Sequence, residues 1–178
     1  ALVALALARL EGGNPAFAIV NPHQEGCAYP FKILAGAGIA LNVALGLRQR
    51  LREEGHFAPK PEPNLREFLD LAALGTVADV VPLRDTNRVI VSFGVEQTLK
   101  SRWPGLRALF AVAGLHPEAF SSEDIAFQIA PRINAGGRLA DAAAAVELLT
   151  TQNPSRAREL AQVLDAHNQE RRDLERAM

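Results

Sequence analysis

The chain has 178 residues, 48 % of them hydrophobic, and a formal net charge of −1. That is enough apolar content to bury a core, which excludes a disordered chain, while the near-zero charge excludes a global positive field, so contact with nucleic acid would need a local patch. Cys27 is the single cysteine, which excludes an internal disulfide and suits a reducing compartment such as the cytoplasm.

The most apolar stretches, 1–10 and 33–47, are shorter than the roughly 20 residues a membrane helix needs, so no transmembrane span is predicted. Stretch 1–10 has the hydrophobicity of a signal core, but no basic segment precedes it and the first residue is not Met. The expectation is a piece of a longer protein.

In chain order, residues 1–10 are compatible with a buried strand or a helix turn. Residues 16–20, a short apolar run ended by Asn21-Pro22, predict a buried strand. From Pro30 the pattern predicts one helix, with Gly55 as its C-terminal stop. Gly36 and Gly38 fall in its first turns, where each costs about 1 kcal/mol relative to Ala. Close helix packing is the expected reason, and backbone approach to a phosphate or metal the alternative. Arg48, Arg50 and Arg52 read as a solvated end that complements the helix dipole. Pro59, Pro61 and Pro63 make an extended connection. Asn64, with Glu67 three residues on, then starts a helix that leads into Asp79.

Asp79 stands in an apolar setting. Leu69, Leu71, Ala72, Ala73, Leu74 and Val77 precede it and Val80, Val81, Pro82 and Leu83 follow, so the segment is expected to be buried. A buried ionised Asp costs several kcal/mol unless it is paired, hydrogen-bonded or bound to a metal. Two readings stand: a turn cap, which the residues alone favour because Asp accepts backbone N–H bonds and Pro82 cannot continue a helix, and a metal ligand.

Residues 84–87 read as a turn, 89–99 as a helix, and Pro104 as the opening of a helix over 105–113 closed by Gly114, with Trp103 as a core or hinge packer. Ser121 and Asp124 have capping-box spacing ahead of a helical run over 125–129. In Arg132-Ile133-Asn134-Ala135-Gly136-Gly137-Arg138, two glycines between an Asn and an Arg predict a loop whose backbone N–H groups and side-chain donors suit a phosphate, although Gly-Gly also simply ends helices. Asp141 is expected to cap a short Ala-rich helix ending near Leu149. Asn153-Pro154 opens a long one, with Leu160, Leu164, His167, Leu174 and Met178 near one face.

Three of these stretches, NPHQEGCAYPFKILAGAGIA at 21–40, DLAALGTVADVVPLRDTNR at 70–88 and IAPRINAGGRL at 129–139, together resemble the RecJ family of DHH phosphoesterases, in family order and over about residues 16–178. The resemblance implies a 5′-to-3′ single-stranded-DNA exonuclease of DNA repair and recombination, cytoplasmic, working through two Mn²⁺ or Mg²⁺ ions. It implies that Asp79 is a catalytic metal ligand, which reverses the preference above. It also sets the 132–138 loop beside the metals, with Asn134, Gly136, Gly137, Arg138 and Arg132 near the substrate phosphate. Its partners would be single-stranded DNA and a single-strand-binding protein or helicase. The parent domain would be α/β, this segment of it mostly α-helical with one or two short strands. Residues 1–153 would be the C-terminal part of the DHH domain, and 154–178 the start of a long helix toward a second, DNA-gripping domain.

The chain departs from the family pattern upstream. The early Asp-x-Asp motif has no match, and where the Asp-His-His triplet belongs the sequence reads ALVALALARLEGGNP, with no Asp or His. His23, His56, His116 and His167 lie elsewhere and read as surface or packing residues. The chain alone is therefore expected to be inactive, most of the metal site being supplied by residues outside it. Alternatives are a non-catalytic RecJ-like scaffold of the replication machinery and a DHH phosphodiesterase acting on small nucleotides; retention of Asp79 and of the Asn-Ala-Gly-Gly-Arg run favours a piece of an active exonuclease.

Overall fold

Seven α-helices of eight residues or more account for most of the described residues in a computed structural model of the chain, which describes residues 18–116, 119–139 and 143–177, and 136–139 by backbone alone. The chain divides into two units, Ala1–Gly94 and Val95–Met178. The expected helical character is observed, but no strand occurs among the described residues. Ala16 and Phe17 lie outside them, and Ile19 and Val20, expected to be buried in a strand, are 39 % and 55 % exposed. Such a segment becomes a strand only when its N–H and C=O groups meet a partner ladder, and none of the described residues offers one.

In the first unit, Lys32 Nζ donates to the carbonyls of Pro22 and Cys27, both at 2.7 Å, and so ties the turns over 21–27 to the segment before the first helix. That helix, α1 (Gly36–Glu53), begins six residues later than expected from Pro30, with Ala35 extended at φ −62°, ψ 155°. The reason is tertiary: the carbonyl of Ile33 accepts from the side chain of Asn87 at 2.8 Å. Gly36 is thus at the start of the helix, not in its interior. Gly38 is there for packing, since a Cβ would lie 2.9 Å from Leu34 Cδ1.

The stop at Gly55 is as expected, with φ +72° and a 2.9 Å bond from His56 N to Leu51 O. The arginines of α1 are not all solvated. Arg50 pairs with Glu54, the residue that caps its helix, at 2.8 Å, but Arg52 bonds Glu62, and Arg48 reaches Glu62 at 3.2 Å and the Pro63 carbonyl at 3.2 Å, drawing the proline connection back along α1.

Asn64 caps as expected, its side chain accepting from Arg66 N at 3.2 Å at the start of a 3₁₀ turn, Leu65–Phe68, that runs into α2 (Leu69–Ala78). Helix α3 (Asp85–Thr98) follows, four residues earlier than expected. Gly75 and Gly94 let the neighbours of α2 approach closely: a Cβ on Gly75 would lie 2.5 Å from Ala37 Cβ, and one on Gly94 2.2 Å from Ala73 Cβ. Leu34, Ala72 and Ile90 form the core there, with Phe31, Ile39 and Leu41 packed against it.

In the second unit, α4 (Pro104–Ala113) has Pro at its first position and ends at Gly114, φ +66°, both as expected, and Trp103 is buried. The Ser121–Asp124 capping box forms, with Ser121 N donating to Asp124 Oδ2 at 2.9 Å. The helix it opens widens to a π-helix over Ile125–Ile129 before α5 (Ala130–Leu139). Pro131 has no N–H to give and would crowd a carbonyl one turn back, so a π-widened turn just before it relieves both demands. After α6 (Ala143–Thr150), Asn153 caps α7 (Pro154–Ala177), accepting from Ser155 N at 2.9 Å. Asp141 lies outside the described residues.

Helix α7 packs against α4, α5 and α6, burying Ala157, Leu160, Ala161 and Leu164. Its expected apolar face fails in the last turns, where Leu174 is 55 % exposed.

Candidate active site

Asp79 closes α2. Its backbone N–H, at φ −83°, ψ −1°, donates to the Gly75 carbonyl at 3.1 Å. Contrary to the expected burial, Asp79 is exposed, because α2 has ended and the chain turns outward: Val80, next in line, is 87 % exposed. The Asp79 carboxylate makes no hydrogen bond or ion pair among the described residues, so it does not perform the capping that would explain an Asp here. A negative charge at a helix C-terminus is disfavoured by the helix dipole, by about 0.3–1 kcal/mol.

Backbone strain adds to this. Val80 adopts φ +54°, and Asp85, at the far end of the turn, φ +46°. For a β-branched residue the left-handed region is an outlier, and such conformations cost on the order of 1–3 kcal/mol and persist only where the surroundings impose them.

The buried carboxylate of this region is instead Asp70, 1 % exposed, in the first turn of α2, where Oδ1 accepts from Leu71 N at 2.7 Å and the dipole favours its charge. Asn87, fully buried, was not legible as a site residue, since a polar residue in a run of Arg, Asp and Thr reads as a turn. Its Nδ2 donates to the carbonyls of Ile33 at 2.8 Å and Pro82 at 3.1 Å.

The second candidate cluster belongs to the other unit. Residues 132–138, expected as a loop, lie within helix α5, so the amides of Gly136 and Gly137 are in helical backbone, not displayed by a turn. Asn134 is exposed, and position 138 follows one helical turn later, on the same face. Arg132 is turned the other way: its Nε bonds Asp165 Oδ1 of α7 at 2.7 Å and its Nη1 the Gln128 carbonyl at 2.6 Å, with the side chain 8 % exposed.

No family model matches the chain. It is 46 % identical, over 164 residues, to the single-stranded-DNA-specific exonuclease RecJ of Dickeya dadantii, an alignment that takes in 90 % of the chain and 28 % of that protein. Over nearly its whole length the chain resembles RecJ. The structure of RecJ in complex with Mn²⁺ from Thermus thermophilus superposes with a TM-score of 0.75 at 35 % identity, over 95 % of this chain and 24 % of that one. The same organism's RecJ in complex with Mg²⁺ gives 0.69 at 40 % identity, over 80 % and 21 %. The chain thus spans little more than a quarter of the RecJ length that it matches.

Mg²⁺ and Mn²⁺ are hard cations that favour oxygen ligands, and the exposed Asp79 carboxylate, unengaged among the described residues, has the chemistry of one. No group of three or more His, Cys, Asp or Glu that could hold a metal occurs among the described residues. No described helix is long and apolar enough to cross a membrane.

Proposed function

We propose that this chain is a working part of a RecJ-type exonuclease that hydrolyses phosphodiesters of single-stranded DNA in a metal-dependent reaction, and that Asp79 is one of its metal ligands. The observation that carries the reading is the state of Asp79: an exposed carboxylate with no partner among the described residues, at the disfavoured end of a helix and beside a strained Val80. The charge at the helix end and the strained backbone both cost stability, and a ligand role accounts for their retention together with the exposed carboxylate.

A bound divalent ion would supply charge neutralisation at the phosphate and an activated water; what this chain supplies is the placement of one carboxylate. On α5, Asn134 and Arg138 are assigned to the substrate phosphate, and Gly136 and Gly137, having no Cβ, to its close approach. Arg132 is assigned to holding α5 on α7 through Asp165, in place of the phosphate role the family resemblance implies.

The same resemblance supports the rest of the proposal: 5′-to-3′ polarity with two metal ions, a cytoplasmic role in repair and recombination, and single-strand-binding protein or helicase partners. Residues 16–20 would join a sheet in the α/β domain of the longer protein. Residues 154–178 would lead toward a DNA-gripping domain, as the exposure of Leu174 near the end of α7 suits.

In the full-length protein, Asp79→Asn should keep the circular dichroism spectrum and lose Mn²⁺-dependent release of nucleotides from single-stranded DNA by more than the roughly 10–100-fold that outer-shell changes cost. Near-normal turnover would return Asp79 to a structural role. The 178-residue chain by itself should release none, and release abolished by Asp79→Ala would show that it holds a complete site.

A further inference from the structure

We propose that Asn87 is a positioning residue: its side-chain amide sets the path of the 79–85 turn and thereby the place at which the Asp79 carboxylate is presented to a divalent cation. This rests on the reading of Asp79 as a ligand.

The turn joins α2 to α3 with left-handed, non-glycine residues near both ends, Val80 at φ +54° and Asp85 at φ +46°. Strained backbone of this kind relaxes unless something over-determines it. Packing does not: Val80 is 87 % and Leu83 43 % exposed, and Pro82, Arg84 and Asp85 are exposed as well. The backbone bonds of the turn are local, Val80 N to Val77 O at 3.1 Å, Arg84 N to Pro82 O at 3.0 Å and Arg88 N to Arg84 O at 3.3 Å, and reach no further than the ends of the two helices it joins.

Asn87 makes the distant tie. With 0 % exposure, it gives one N–H of its amide to the Pro82 carbonyl in the middle of the turn, at 3.1 Å, and the other to the Ile33 carbonyl, 54 residues earlier, at 2.8 Å. Two carbonyl acceptors fix which end of the amide faces them. The opposite end, Oδ1, is buried with no hydrogen-bond partner among the described residues. An apolar residue here would avoid that unsatisfied Oδ1 but would withdraw the donors from the Ile33 and Pro82 carbonyls. What the asparagine contributes is therefore its two donations, one to the turn that carries Asp79 and one to the segment that anchors it.

The test uses the full-length protein and Mn²⁺ itself, with affinity measured by calorimetry and the turn followed by hydrogen exchange. Asn87→Ala should bind Mn²⁺ about tenfold more weakly, the lower end for changes outside the ligand shell, with faster amide exchange over 80–84. If Asn87→Ala lowers the melting temperature but the folded protein binds Mn²⁺ as tightly as before, Asn87 is only a core hydrogen-bonder and the proposal is overturned. Should the variant not fold, wild-type protein labelled with ¹⁵N-asparagine decides: side-chain amide protons of Asn87 that exchange slowly support the tie, and rapid exchange overturns it. Asp79→Asn is the reference. If it leaves Mn²⁺ affinity unchanged, the ligand reading has failed and takes this proposal with it; if it weakens binding while Asn87→Ala does not, the positioning role alone has failed.

Discussion

Replacing Asp79 with Asn should make the metal-free protein more stable while removing its response to metal. Asn keeps the volume of the side chain and the backbone bond from residue 79 to the Gly75 carbonyl, 3.1 Å, so what changes is one negative charge at the C-terminal end of α2. Removing a carboxylate from that position should gain about 0.3–1 kcal/mol. In a chain of 178 residues this gain would correspond to roughly 1–4 °C in melting temperature, and in a full-length protein three to four times longer to about 1 °C or less, so urea unfolding is the sharper readout. No compensating loss is expected, because the carboxylate has no hydrogen bond or ion pair among the described residues. The assay is thermal or urea unfolding of full-length protein in EDTA at low salt. Repeating it at about 1 M salt, where the screening length is about 3 Å, should shrink the gain. Mn²⁺ at about a hundred times its dissociation constant should stabilise the wild type by about 2.7 kcal/mol and the variant far less. A variant that is less stable than wild type in EDTA would refute the reasoning, since it would mean that the carboxylate accepts a structural hydrogen bond.

Arg132→Met should cost about 2 kcal/mol in urea unfolding, because it removes charge-assisted bonds to Asp165 and Gln128 while Asp165, 38 % exposed, recovers part of its hydration; a change under about 0.5 kcal/mol would argue against the strut. Arg138→Ala in full-length protein should weaken single-stranded-DNA binding and single-turnover cleavage about 10–100-fold with little change in melting temperature, and unchanged cleavage would remove it from the phosphate site. The Glu62 carboxyl is held below its ordinary value of 4.5 by its hydrogen bond to Arg52. Its contribution to stability is thus complete above that value and lost as the pH falls through the depressed folded one, so Glu62→Gln should flatten the acid limb of the melting curve; an unaltered limb would show the pair to be fully screened.

Local signals were legible wherever a few neighbouring residues decide the outcome. Asn64, the Ser121–Asp124 box, Pro104, Gly55, Gly114 and Asn153-Pro154 fall at the helix ends they imply, because caps and left-handed stops depend on one or two residues and their own backbone. The motifs around Asp79 and Asn134 sufficed to mark the resemblance to RecJ. The sequence could not say that Asp79 is exposed: an apolar run predicts burial, yet the end of α2 and the turn after it carry the residue outward. Nor could it show that α1 starts at Gly36, since that depends on Asn87, which is remote in sequence and takes the Ile33 carbonyl from the side. The destination of Arg132 was hidden for the same reason, its partner Asp165 lying 33 residues away on α7. Composition and spacing determine which short segments coil and where they stop. Which carboxylate is left without a partner, and which arginine is used as a strut, is decided by contacts between residues distant in sequence, and these exist only once the helices have packed.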